Sequence, residues 1–500
     1  MNAHRGIIGS LSWNYAGRIA DSAGLYLVNL CIARAVGVAD YGRYALILSG
    51  LQLTMALGSF GLEASLNRFL PVVSSAQGDG PVGFIVRRTA ALRGTAAALF
   101  AGVVFSLAGV ETAMNGLPVP LVLFTVFAMG RSLVPLVAVS MVARLETRRP
   151  ALIGMVIRGI ELCGAVVLWS SDARLSGFVI LLATTSAVHA TCLLIFSEPS
   201  LRGPEVSSRL APILAFGAVY SVNVLVDFFL GRFGDVVLLG SLAGDPRQTG
   251  LYEVGAGLVH AAGLIMTTGF AGIGLAVFSE IAANEQGSHE RLGSLYSTMV
   301  RALSFLTLPV FVYLVIDART LVVVLFSERF EDAVPIVRAL ALLRIAGRLF
   351  GGGENTEALL ALGRVRTVSL LGIAAAGLNI AGDLALIPRW GASGAVAGTA
   401  LGYVVVTMAT FYALRLRVRI SLQVRSYVRI LGGCAMGALG VVICPPLQGV
   451  PGLVLHVVVF AVLSAGAWLL VRPVEDRDRA LLERFSPALG SVLARFSRNR

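Results

Sequence analysis

Long apolar runs separated by short polar breaks fill this 500-residue chain. They fall at 8–36, 44–70, 86–110, 118–142, 151–170, 176–197, 210–240, 251–278, 297–316, 335–362, 367–387, 394–414, 427–444 and 452–471. A helix crossing the hydrocarbon core takes about 20 residues at 1.5 Å rise per residue. The pattern therefore predicts an all-α integral membrane protein of about 14 transmembrane helices. The first run is too long, and too rich in Asn14, Arg18 and Asp21, for a cleaved signal peptide, so it is expected to be the first permanent span.

Composition agrees and removes one large class. The chain is 56% hydrophobic with only 14% charged residues, where soluble domains sit near 25% charged, so a soluble enzyme is excluded. The net charge is +12, and every basic residue is arginine. The absence of lysine, alongside abundant Ala, Gly and Val, reads as the mark of a GC-rich bacterial genome. Basic charge spread over short loops points to membrane orientation and not to nucleic acid. Placing the N-terminus in the cytoplasm, and counting Arg34, Arg68, Arg87, Arg88 and Arg429 at the run ends with the loops, puts 24 of the 31 arginines outside the spans on the inner side and 7 on the outer side. This positive-inside split predicts an even number of spans with both termini cytoplasmic, in a bacterial inner membrane. The five cysteines lack CxxC spacing and read as packing residues.

Nine arginines and nine acids remain within the spans. Each would cost several kcal/mol facing lipid, so the bundle is expected to enclose a wet cavity. Two internal matches suggest its plan. Gly42-Arg43-Tyr44 after span one corresponds to Gly250-Leu251-Tyr252 after span seven. Arg148, Gly154, Gly159 and Gly164 correspond to Arg366, Gly372, Gly377 and Gly382 at an offset of 218. The expected organisation is two pseudo-symmetric six-helix lobes, 1–197 and 210–414, joined by a cytoplasmic linker at 198–209. Two extra helices follow at 415–471, then an amphipathic cytoplasmic tail at 472–500.

The stretch from Asn379 through Gly382-Asp383 to Pro388-Arg389-Trp390-Gly391-Ala392-Ser393-Gly394-Ala395 resembles the eleventh-to-twelfth-helix signature of polysaccharide and lipid-linked oligosaccharide flippases. Ala33-Arg34-Ala35-Val36-Gly37 with Tyr41-Gly42-Arg43-Tyr44 is similar to their first hairpin. Asp235 to Gly240 with Gly250-Leu251-Tyr252 resembles their seventh and eighth helices, and Leu360 to Arg364 the end of their tenth. The pieces keep the family's order over about residues 8–420. The resemblance implies the fold of the multidrug, oligosaccharidyl-lipid and polysaccharide exporter superfamily, working by alternating access without catalysis. The implied substrate is a glycan on an undecaprenyl pyrophosphate carrier. The implied setting includes membrane lipids, glycosyltransferases and a glycan polymerase. No cofactor is implied, and a proton or sodium gradient is the candidate driving force.

A cavity that passes two phosphates and sugars needs cationic forks and hydrogen-bonding groups. In span one Ser10, Asn14, Gly17, Arg18 and Asp21 share a narrow helix face that is expected to line the cavity, with Arg18 a further pyrophosphate candidate. Span four centres on Arg131. In span ten Arg344, Arg348 and Asn355 lie within about 40° of one another on a continuous helix, with no acid assigned to either arginine, which makes the two the best phosphate candidates. Arg232 and Asp235, like Arg158 and Glu161, are i,i+3 pairs that neutralise locally. The former pair also falls on the resembled seventh-helix motif. His189, His260 and His456 read as packing hydrogen-bonders. Two other functions stay open. One is an ion-coupled multidrug exporter, with Asp21 as the cation-coupling group. The other is a membrane polysaccharide polymerase or ligase, against which the short outer loops speak, the longest lying at 317–334.

Overall fold

A computed structural model describes residues 2–77, 79–142, 146–197, 210–267, 273–283, 288–420, 424–445, 447–475 and 497–498. The expected linker at 198–209 and the tail from 476, apart from 497–498, lie outside the described residues. Apart from one two-residue parallel pairing, Val474–Glu475 with Ser497–Arg498, the described chain is helical. Among the described residues, ten helices are long and apolar enough to cross a membrane. Val38–Leu57 and Leu62–Ser75, bent by 48°, make an eleventh if the bent pair is one span. The chain is thus an all-helical, multi-pass membrane protein, and it forms two compact units, Met1–Gly250 and Leu251–Arg500.

In the first unit, α1 (Asn2–Ala35) packs along α7 (Arg148–Ser170). Helices α4 (Asp79–Leu107) and α8 (Leu175–Phe196) flank α6 (Pro120–Val142), and the one-turn α5 (Val110–Ala113) follows α4 and packs on it. The bend between α2 (Val38–Leu57) and α3 (Leu62–Gln77) rests on positive φ at Phe60 (44°) and Gly61 (59°). A break inside an apolar bundle frees carbonyls that water cannot satisfy. Arg93 of α4 supplies the donor: it is 1% exposed, gives Nη1 to the Met55 carbonyl at 2.9 Å and pairs with Glu63 at 3.0 Å. Helix α9 (Leu210–Leu230) packs on α2 and α3, and α10 (Arg232–Leu242) on α2. The run at 210–240 is therefore broken at Gly231 where one helix was expected.

In the second unit, α11 (Pro246–Thr267, entering from the first unit) and α12 (Ile273–Ala283) are followed by α13 (Ser288–Ile316) and the short α14 (Ala318–Leu325). Helices α15 (Val334–Leu349) and α16 (Glu354–Ala361) come next, then the tightly paired α17 (Val365–Trp390) and α18 (Ala392–Arg415). The run at 335–362 is likewise not one helix. Gly351 and Gly352 take φ of +91° and +59° and turn the chain between α15 and α16. Helices α19 (Val424–Ile443) and α20 (Gly449–Val471) are stitched together by small residues. A side chain at Gly433 would strike the Trp468 ring, and one at Gly437 would strike Ser464. Trp468 donates Nε1 to the Ile430 carbonyl at 3.1 Å, and His456 of α20 meets Asp317 at 3.0 Å.

Positions 217 or 218 apart make the same helix contacts in the two units. Gly130 lies against Ser186, and Gly347 against Tyr403. Gly164 meets Leu181 and Gly382 meets Gly398; Gly177 lies by Leu168 and Gly394 by Leu386. The offset read from Arg148 and Arg366 thus carries packing as well as letters.

Candidate functional site

In the first unit buried Arg158 of α7 gathers two acids. Its Nε lies 3.1 Å from Asp21 Oδ1 of α1, its Nη1 bonds Glu161 one turn on, and Glu161 Oε1 accepts the Thr185 hydroxyl of α8 at 2.9 Å. Glycine makes the approach to α1 feasible, because a side chain at Gly24 would occupy the place of the Arg158 stem. Asp21, grouped by the sequence with Arg18, is therefore held by Arg158. The side chains of Arg18 and Asn14 lie outside the described residues. Arg131 of α6 sits 5.7 Å from the Phe127 ring centroid and within the electrostatic reach of Glu161, Arg158 and Asp21. Among the described residues it makes no ion pair. Arg232 opens α10 with its guanidinium 4.8 Å from the Phe233 ring, and Asp235 is fully buried in the same first turn.

The second unit holds a cavity of about 410 Å³. Arg344, Arg348, Glu354, Glu357 and Tyr403 contribute its polar wall, and Leu303 and Phe311 of α13 are among its apolar residues. The glycine turn decides the electrostatics. By reversing the chain after α15 it brings Glu354 back onto Arg348: Nη1 meets Oε2 at 2.6 Å, Nη2 meets Oε1 at 3.2 Å, and Nε bonds Thr307 at 3.1 Å. The expectation that both arginines of this run lack an acid is corrected for Arg348. The continuous-helix projection failed there because Gly351-Gly352-Gly353 interrupts the helix. Arg344 differs: it is exposed, stacks its guanidinium 5.0 Å from the Tyr403 ring centroid, and has no ion pair among the described residues. Asn355 is fully buried. It gives Nδ2 to the Phe350 carbonyl at 2.8 Å and accepts from Tyr296, which ties the turn to α13 and leaves Asn355 off the cavity wall.

Sequence reasoning missed Glu357 as a site residue. It projects from α16 into the same cavity, its Oε2 against Gly274 of α12, and has no hydrogen bond or ion pair among the described residues. Its signal was the three-glycine turn followed by two acids one turn apart, Glu354 and Glu357.

Apolar helices, several of them broken, bury these charged side chains in a multi-pass helical membrane fold. Solved structures agree on that fold. The lipid II flippase MurJ in an inward closed conformation matches with a TM-score of 0.70 at 12% identity, covering 91% of this chain and 98% of that one. An inward-facing multidrug resistance MATE family transporter matches at 0.62 and 12% identity, over 80% and 94% of the two chains. A superfamily transporter from Pyrococcus furiosus matches at 0.53 and 14%, over 83% and 95%. No curated protein matches the sequence. The chain belongs to the family described as Polysaccharide biosynthesis protein, whose model matches residues 31–335.

Proposed function

We propose that this protein is a flippase that carries a lipid-linked oligosaccharide, borne on undecaprenyl pyrophosphate, from the cytoplasmic to the periplasmic leaflet of a bacterial inner membrane by alternating access. The supporting observation is Arg344, a guanidinium with no acidic partner among the described residues, standing at a cavity inside the second unit of a polysaccharide biosynthesis family member. A planar fork of fixed charge suits phosphate oxygens and repels cationic drugs. In this reading Arg344 meets the anionic head group and Arg131 offers a second fork in the first unit. Arg18, with Asn14 and Asp21 on its face, and Arg232 supply further polar lining, whereas fully buried Asp235 is no part of that lining. Arg348 serves as a brace for Glu354.

The same reading completes fourteen spans by adding α1, α11 and the broken pair α15–α16 to the eleven crossings above. It keeps both termini cytoplasmic, with six-helix lobes at 1–197 and 210–414 and helices α19 and α20 appended. Glycosyltransferases would supply the cargo, a polymerase would consume it, and a proton or sodium gradient would drive the cycle without a cofactor.

Deletion of the gene tests the proposal. Surface polysaccharide should be lost while lipid-linked glycan continues to be made and accumulates. Normal periplasmic delivery of repeat units with failed chain elongation would instead identify a polymerase.

A further inference from the structure

Arg344 and Glu357 face one cavity, one a guanidinium and the other a carboxyl group, and neither is paired among the described residues. Nearby, Arg348 and Glu354 neutralise each other bidentately. A simple anion would gain Arg344 but leave Glu357 without a partner, and a simple cation would meet the reverse. Ligand sites of this kind occupy roughly 300–1,000 Å³, so about 410 Å³ accommodates a sugar-sized unit and not an extended chain. A ligand that satisfies both walls brings negative charge to the guanidinium and hydroxyl donors to the carboxylate. Tyr403 holds the guanidinium in place beneath it. The Tyr403 ring lies where a side chain on Gly347 would stand, so the ring can approach α15 closely.

From this we propose that the cavity of the second unit binds an acidic sugar unit, its anionic group on Arg344 and its ring hydroxyls donating to Glu357. The proposal rests on the glycan-export reading and narrows it. The anionic group has two sources, the phosphate that links the first sugar to the carrier or a carboxylate on a sugar within the glycan.

Thermal-shift titration of the purified full-length protein in detergent distinguishes these, because a ligand that binds the folded state raises the melting temperature in proportion to the logarithm of its concentration over Kd. The probes are glucose 1-phosphate, glucuronic acid, glucose and inorganic phosphate. Glucose 1-phosphate, glucuronic acid or both should bind at least about tenfold more tightly than glucose and than inorganic phosphate. Preference for the first marks the carrier end, and for the second an acidic repeat unit. Arg344→Ala and Glu357→Ala should each weaken that probe about ten- to a hundredfold, the range expected for loss of hydrogen bonds to a charged group. Arg344→Lys should recover part of the loss. Gly347→Ala, which displaces Tyr403, should weaken binding without removing either group. Failure of both acidic sugars to bind, or equal binding of inorganic phosphate with no effect of Glu357→Ala, overturns the proposal. The wild-type probe comparison decides even where a variant misfolds. If Arg344→Ala and Glu357→Ala cells export glycan normally while deletion blocks export, this subsite is wrong and the flippase reading stands. If deletion leaves export intact, the flippase reading fails whatever the probes do.

Discussion

Gly42 and Gly250 stand back to back where the first turns of α2 and α11 cross, each where the other's side chain would be. A methyl carbon at Gly42 would lie 2.8 Å from the Gly250 nitrogen and overlap the Pro246 carbonyl oxygen. One at Gly250 would lie 3.1 Å from the Gly42 nitrogen and overlap the Val38 oxygen. The relation is reciprocal, since Pro246 precedes Gly250 by four residues as Val38 precedes Gly42. These two glycines open the matched Gly-x-Tyr motifs of the sequence, and here the small residue is required by backbone contact.

Replacing either glycine should therefore destabilise the protein. Alanine within a helix is intrinsically better than glycine by roughly 0.5–1 kcal/mol, so a lowered melting temperature for Gly42→Ala and Gly250→Ala would show that packing outweighs propensity. Gly159→Ala, in a helix with nothing within 4 Å of the new methyl, is the control and should leave the melting temperature unchanged or higher. Equal behaviour of all three would contradict the close crossing.

Arg348 and Arg344 should separate by phenotype although they lie one turn apart. Arg348→Ala leaves buried Glu354 without its partner, a loss on the order of 3–5 kcal/mol, and membrane abundance should fall. Exchanging both residues for leucine should restore much of it. Arg344→Ala should leave abundance normal and reduce export. Immunoblots of membranes, read with glycan export per protein, check both.

The two acids on Arg158 are also unequal. Glu161 has 3% of its side chain exposed and Asp21 has 52%. Glu161→Gln should cost roughly 1.5–3 kcal/mol of stability, and Asp21→Asn less than about 1 kcal/mol, because solvent screens that pair. Apparent melting temperatures rank them. If Asp21→Asn leaves stability intact yet abolishes transport, Asp21 has a role beyond bracing Arg158, as the ion-coupled exporter alternative requires.

Much of the architecture was legible in the runs themselves, since burying twenty apolar residues in hydrocarbon leaves helix as the open choice for an unpaired segment. Arg158, Glu161 and the family motifs were equally visible. What could not be read was direction after a break. Gly351 and Gly352 reverse the chain, so Glu354 lands on Arg348 and Asn355 turns toward α13, where a straight-helix projection sets Asn355 beside both arginines. Pairing across helices was hidden for the same reason. Asp21 meets Arg158, 137 residues away, and no local spacing encodes that contact.

Orientation can be checked by labelling. In a background from which the five free cysteines have been removed, a cysteine at Ser75 should react with an impermeant thiol reagent only from the cytoplasm. One at Ser241 should react only from the periplasm. Reaction of Ser241→Cys from the cytoplasmic side would invert the assignment made from arginine asymmetry.

The sidedness of the lipid-linked glycan tests flipping most directly. Impermeant periodate added to intact spheroplasts oxidises only glycan in the outer leaflet. In cells lacking this protein, lipid-linked glycan should resist periodate until the membrane is opened, and re-expression of the wild-type chain should make it accessible. Full oxidation in intact deletion spheroplasts would mean that the glycan crosses without this protein, and would contradict the flippase account.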